Sequence, residues 1–205
     1  MDVFQDRKNL YKVRETMLEM ISDRGFNIPE SEKITFEQFI IKYTNKTLDM
    51  VVNDIENKKI FYVYFHNEVK NFSKADLKNI MQKISGLFID QTDQVINIIL
   101  ILKDKENSAI SKELSKDVYK NVEIFLKNNM VFNITHHELV PQHILLTLDE
   151  EKELLEKYNT TKGKLPKILK TDPIAKYYGA KTDQIFKIIR KSPSVGEAFY
   201  YRLVR

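Results

Sequence analysis

Five apolar residues stand in a row near the middle of this chain, Ile98-Ile99-Leu100-Ile101-Leu102. Taken from Gln94 onward, the stretch predicts a β-strand too apolar for either face to meet water, so it is expected to be buried on both. The run is far shorter than the roughly 20 residues that cross a bilayer. Lys59 to Phe65 (KIFYVYF) predicts a second strand, because aromatic and β-branched residues dominate it. With 42% hydrophobic residues in 205, a core can be built and wholesale disorder is excluded. The length suits one large domain or two small ones.

Helices fill the spaces around these strands. Leu10, Val13, Met17, Met20 and Ile21 recur at helical spacing, with Arg24 in the last turn and Gly25 as a left-handed C-cap. Thr35 and Gln38 form a capping box before the stripe Phe36, Phe39, Ile40, Tyr43. Ser73 caps a helix carrying Leu77, Ile80, Met81 and Ile84, expected to stop at Gly86. A polar loop is expected from Lys103 to Ser111, then a helix with Val118, Val122, Phe125 and Leu126, then a short strand from Met130 to Ile134.

Beyond that point the elements shorten. His143 to Thr147 predicts a strand, Thr147 and Glu150 a capping box for a helix to about Tyr158, and Leu165 to Leu169 an extended segment. Asp172-Pro173 is an N-cap with proline at the first helical position, and Gly179 ends that helix. Ile185–Arg190 and Phe199–Val204 predict a terminal hairpin. The change of texture divides the chain into domains 1–133 and 134–205, and the fold class is α+β.

Composition excludes several chemistries. There is no cysteine, hence no disulfide, thiolate metal site or cysteine nucleophile, as suits a reducing compartment. The opening Met1-Asp2-Val3-Phe4-Gln5-Asp6 is too acidic for a signal peptide. His136, His137 and His143 lie close together, but Pro141 breaks any helix that would align them as in H-E-x-x-H, so no metal is expected. Glu68-Val69-Lys70, with Asp49 and Asp54 upstream, resembles a magnesium-dependent nuclease pattern, yet it falls past the expected strand end where a rigid site is hard to hold. No phosphate-binding glycine loop or nucleophile elbow is present. The charge is uneven. Residues 159–205 hold 11 Lys/Arg against 3 Asp/Glu, a surplus of eight, while the rest holds 22 against 26. A basic tail of this kind is either a solvated face or a surface for nucleic acid or an acidic protein.

The last third carries a far more specific pattern. Asn133-Ile134-Thr135-His136-His137-Glu138-Leu139-Val140-Pro141-Gln142-His143 resembles the N-I-T-x-H-E-L-V-P-x-H run of the family called subunit 5 of multisubunit DNA-dependent RNA polymerase in eukaryotes. The archaeal counterpart in that family is similar to the C-terminal part alone. At family-like spacing follow Glu151–Leu155, Leu165-Pro166-Lys167-Ile168, Thr171 to Gly179, the strand Ile185 to Lys191, and Tyr201-Arg202-Leu203-Val204. Leu10–Arg14 and Asp23-Arg24-Gly25-Phe26 resemble the family's opening helix. The chain departs from the pattern in three places: Tyr11 replaces a tryptophan, Asn107-Ser108-Ala109 lacks a proline, and Ser194-Val195-Gly196-Glu197-Ala198 is altered. The Lys/Asn/Ile-rich composition is similar to that of a copy carried by a large DNA virus of the African swine fever type.

The resemblance implies an N-terminal α/β jaw domain and a small C-terminal mixed α/β assembly domain. It implies a non-catalytic subunit, one copy in a hetero-oligomer, with no cofactor, metal or membrane partner. The implied partners are the largest polymerase subunit, neighbouring small subunits and downstream double-stranded DNA. Residues implied for assembly are His137, Glu138, Leu139, Val140, Pro141, His143, Asp172, Pro173, Tyr177, Gly179, Arg190, Tyr201 and Arg202. Lys103, Lys105, Ser108 and Lys112 fall where the family's DNA-facing segment would lie. The implied location is host cytoplasm and virion for a viral copy, or the nucleus for a cellular one.

Overall fold

The computed structural model describes residues 3–54, 59–66, 72–88, 94–103, 108–192 and 196–205. They form two compact units, Met1–Phe132 and Asn133–Arg205. Helices and mixed sheets make an α+β fold. No helix among the described residues is long and apolar enough to cross a membrane.

In the first unit, α1 (Val3–Asp23) buries Leu10, Val13, Met17, Met20 and Ile21 and ends at Gly25, whose φ of 87° only glycine adopts freely. Arg14 is buried on α1 and pairs with Glu32, while Tyr11 donates to the Ile34 carbonyl at 3.0 Å. α2 (Phe36–Thr44) opens with the Thr35–Gln38 capping box. Then come β1 (Met50–Asp54), β2 (Lys59–Phe65), α3 (Lys74–Leu87), β3 (Val95–Leu102), α4 (Ser108–Leu114) and β4 (Val122–Leu126).

The sheet order is β1-β2-β3-β4, with β1 antiparallel and the others parallel. Tyr62, Ile98, Leu100 and Ile124 face Leu77, Ile80 and Ile84 of α3 and Ile110 of α4 in one cluster. Residues of opposite parity, Phe61, Val63, Ile99 and Ile101, are buried too. On their side Phe26 closes on Phe61 with ring centroids 4.8 Å apart, and Arg24 grips Glu123 of β4 through two hydrogen bonds of 2.8 and 3.0 Å.

Several local expectations are corrected. The helix expected around Val118–Leu126 is a 3-10 turn at Asp117–Tyr119 followed by β4, because β3 offers the ladder that a short apolar run joins. The strand expected at Met130–Ile134 is replaced by 3-10 turns at Lys127–Met130 and Ile134–His136, the second begun by the Asn133 side chain accepting from the Thr135 N–H. The loop expected through Ser111 is already α4 from Ser108, since Ile110 enters the core. Gly86 lies inside α3, which runs to Leu87. β1, pairing with β2, has no forewarning in the sequence because its five residues carry no clear alternation.

In the second unit, β5 (Gln142–Leu145), α5 (Leu148–Lys157), β6 (Lys167–Ile168), α6 (Pro173–Tyr177), β7 (Ile185–Ser192) and β8 (Gly196–Val204) build a sheet in the order β5-β7-β8-β6. One face packs Phe186, Ile188 and Val204 against Ala175 of α6 and Ala180. The other packs Ile185 and Leu203 against Leu154 of α5.

Candidate functional site

In the second unit the run from Asn133 to His143 becomes a tightly wound surface turn leading into β5. Asn133 is its anchor. Its Oδ1 accepts from the Thr135 N–H at 3.0 Å and the Thr135 hydroxyl at 2.7 Å, and its Nδ2 donates to the Tyr177 hydroxyl at 3.0 Å. The His137 Nδ1 accepts from the Leu139 N–H at 3.2 Å, and the Val140 N–H reaches the His137 carbonyl at 2.8 Å. His143 is half-buried, lies 2.7 Å from the Pro141 carbonyl through Nδ1, and meets Phe186 edge-on at 5.8 Å. Burial, the largest influence, pushes the His143 pKa down, against the Pro141 bond that raises it. Two of the three histidines thus spend Nδ1 on local backbone. Among the described residues no group of three His, Asp or Glu side chains gathers at metal-binding spacing.

The family-implied residues separate into supports and surface. Asp172 caps α6 by accepting from the Ile174 N–H at 2.9 Å, with Pro173 in the first turn. Gly179, at φ 61°, lets the Ala180 N–H close on the Ala175 carbonyl at 2.9 Å. Tyr177 is only 2% exposed. With His143 these side chains or backbones hold the unit together. Glu138 and Leu139 are exposed, Leu139 at 82%, and with Val140, Pro141 and Arg190 they line one hollow of about 860 Å³. Arg190, Tyr201 and Arg202 line a second, of about 530 Å³. Arg190 belongs to both.

Some contributors escape the sequence reading. Phe199 and Tyr200, each 49% exposed, project from β8 beneath cations: Lys187 Nζ sits 4.7 Å from the Phe199 ring and Arg190 5.0 Å from that of Tyr200. Tyr158 joins Tyr201 across 5.9 Å. Their signal in sequence is the pair of cations, Lys187 and Arg190, set among apolar residues on the strand opposite Ala198–Tyr201, which only the hairpin register makes meaningful. Glu151, 2% exposed, accepts from the Ile185 N–H at 2.9 Å and from Lys162 at 2.6 Å, tying α5 to β7.

In the first unit Lys103 is exposed just past β3, and Lys112 is exposed on α4, which Ser108 opens. Lys105 lies outside the described residues, as do Glu68, Val69 and Lys70 of the nuclease-like tripeptide. Asp49 is already engaged by the Tyr62 hydroxyl at 2.6 Å and Lys83 at 2.9 Å. Burial, then that carboxylate, pushes Tyr62 up to about 12. Both bonds commit Asp49 to holding Tyr62 and Lys83.

Comparison with known proteins matches both units. Residues 5–84 match the family described as RNA polymerase Rpb5, N-terminal domain, and residues 132–204 match RNA polymerase Rpb5, C-terminal domain. The chain is 32% identical over 203 residues to the DNA-directed RNA polymerases I, II, and III subunit rpabc1 of Dictyostelium discoideum, covering 97% of this chain and 98% of that one. It is 29% identical over 207 residues to the subunit RPABC1 of Caenorhabditis elegans, covering 95% of each. A two-unit α+β chain matched along nearly its whole length belongs to the RNA polymerase Rpb5 family.

Proposed function

We propose that this chain is a non-catalytic subunit of a multisubunit DNA-dependent RNA polymerase. Its C-terminal unit assembles on the largest subunit, and its N-terminal unit forms part of the jaw beside downstream DNA. The observation that carries the reading is the end-to-end match to subunits named for RNA polymerases I, II and III. The geometry supports it. The run that resembles the family most closely turns Glu138 and Leu139 outward, where a partner can reach them, while Asn133 and Tyr177 hold the turn from beneath. The chain would act where that polymerase acts, in cytoplasm and virion for a viral copy and in the nucleus for a cellular one.

Affinity purification of the tagged chain from its native cells tests the subunit reading. A large polymerase should come with it in stoichiometric amount; recovery of the chain alone, or with unrelated proteins, would overturn it. The DNA-facing part is tested separately. Polymerase rebuilt with Lys103, Lys105 and Lys112 changed to Ala should lose salt resistance of elongation complexes equally on every template, since phosphate contacts ignore sequence. Unchanged salt resistance would remove DNA contact from the role of this segment.

A further inference from the structure

β8 spans Gly196–Val204, but its outer neighbour β6 covers only the last part, with Lys167 opposite Leu203 and Ile168 opposite Val204. Its inner neighbour β7 pairs along the whole length in unbroken register, from Ile185 opposite Leu203 to Ser192 opposite Gly196. Alternation tells which backbone groups face outward. The Leu203 N–H donates to the Pro166 carbonyl on the β6 side, and the Val204 N–H donates to the Gln184 carbonyl on the β7 side, each at 2.8 Å. Counting back by twos along a strand without a bulge, the N–H and C=O groups of Tyr201, Phe199 and Glu197 also face the β6 side. No described residue hydrogen-bonds them there. Neither bulge nor proline interrupts Gly196–Val204, so this edge lacks two of the devices by which chains blunt a free edge.

Beside the open edge runs the hollow of about 530 Å³, whose apolar wall includes Leu154, Tyr158, Leu165, Pro166, Phe199 and Tyr201. Its charged lining is Arg190 and Arg202, and no carboxylate lines it. We infer that the β8 edge receives an added strand from a partner protein: an extended segment with apolar side chains at alternate positions and carboxylates that meet Arg190 and Arg202. Main-chain hydrogen bonds to Glu197, Phe199 and Tyr201 supply affinity, and the apolar wall selects side chains of one parity. Nucleic acid fits less well. Lys187 and Arg190 already sit over Phe199 and Tyr200, so a stacking base would have to displace a cation. The inference deepens the reading of the C-terminal unit as the assembling one, and rests on it.

Amide hydrogen exchange of the full chain, free and within purified polymerase, tests it. In the free chain the Ala198 and Tyr200 amides, which point to β7, should exchange slowly, and those of Glu197, Phe199 and Tyr201 quickly. In the polymerase the second set should slow by at least about tenfold. Phe199→Pro removes an outward N–H without touching the β7 ladder, and should lower incorporation into polymerase about tenfold. Polymerase that contains the chain while those three amides stay fast overturns the added strand and leaves the subunit reading standing. Failure of the chain to enter any polymerase overturns both. A photocrosslinker at Tyr200 that captures nucleic acid in place of a protein segment overturns the choice of partner.

Discussion

The central strands of the two sheets are sealed to different extents. In the N-terminal unit β2 and β3 are covered on both sides: Tyr62, Ile98 and Leu100 meet α3, and Phe61, Val63, Ile99 and Ile101 are buried on the opposite face. In the C-terminal unit β7 and β8 are well buried only toward one end, where Ile185, Phe186, Ile188, Leu203 and Val204 enter the two clusters. Toward the other end Arg190, Phe199 and Tyr200 reach solvent. The first sheet uses its apolar side chains on its own stability. The second uses part of the same kind of side chain as surface, and relies on polar ties such as Glu151 to hold what remains. A sheet whose strands outrun its helices is built to meet something.

The largest test of this contrast is Ile99→Ala. Ile99 is fully buried in β3, so the variant should lose roughly 3–4 kcal/mol. Calorimetry should show the N-terminal unit melting earlier while the C-terminal unit keeps its transition. If both shift together, the units do not owe their stability to separate cores. Next in size is Glu151→Ala, which strands the Ile185 N–H and leaves Lys162 with Asp183 alone, and should cost the C-terminal unit about 2–3 kcal/mol. Glu151→Gln keeps the Ile185 bond and the packing and should lose less; equal losses would mean that the charge pairing with Lys162, rather than the Ile185 bond or the packing of α5, carries the effect. Denaturant unfolding of the single variants reads both. Removing helix caps should cost each unit alike, about 1 kcal/mol for Ser73→Ala in the first and Thr147→Ala in the second.

The smallest effect is on pH dependence, where the units should separate. His143 has a folded pKa below its ordinary 6.5, so its contribution is full above 6.5 and is lost as pH falls through the lowered value. Glu113 of the first unit, held down to about 2 by hydrogen bonds from Lys116 first and Lys74 second, contributes fully above 4.5 and fades only as pH falls toward 2. Mild acid should therefore weaken the C-terminal unit first. Melting followed from pH 7 to 4 checks this, and a His143→Gln variant should flatten the upper part of the curve; an unchanged curve would exclude His143 as its cause.

How much is legible in the sequence depends on whether a signal is local. The capping boxes at Thr35 and Thr147, the Ser73 cap, the Asp172-Pro173 start and the glycine ends at 25 and 179 all appear as expected, because each is closed by hydrogen bonds within a few residues. β4 reads as helix from its residues alone. Val122, Phe125 and Leu126 fit either period, and the ladder from β3 decides. The family-implied assembly residues mix two kinds. His143 and Tyr177 are inward supports and Glu138 and Leu139 are outward surface, a distinction that no motif states.

Family membership, the secondary-structure punctuation and the existence of a sheet strand buried on both faces were set by residue order alone. They depend on side-chain chemistry and short-range backbone bonding, which travel with the sequence. Which strand lies beside which, that β6 is too short to cover β8, and that Arg190 serves two hollows at once were settled only by tertiary structure. Those facts come from pairing residues distant in the chain, such as Lys167 with Leu203, and the gain from such pairing depends on every other element that competes for the same edge.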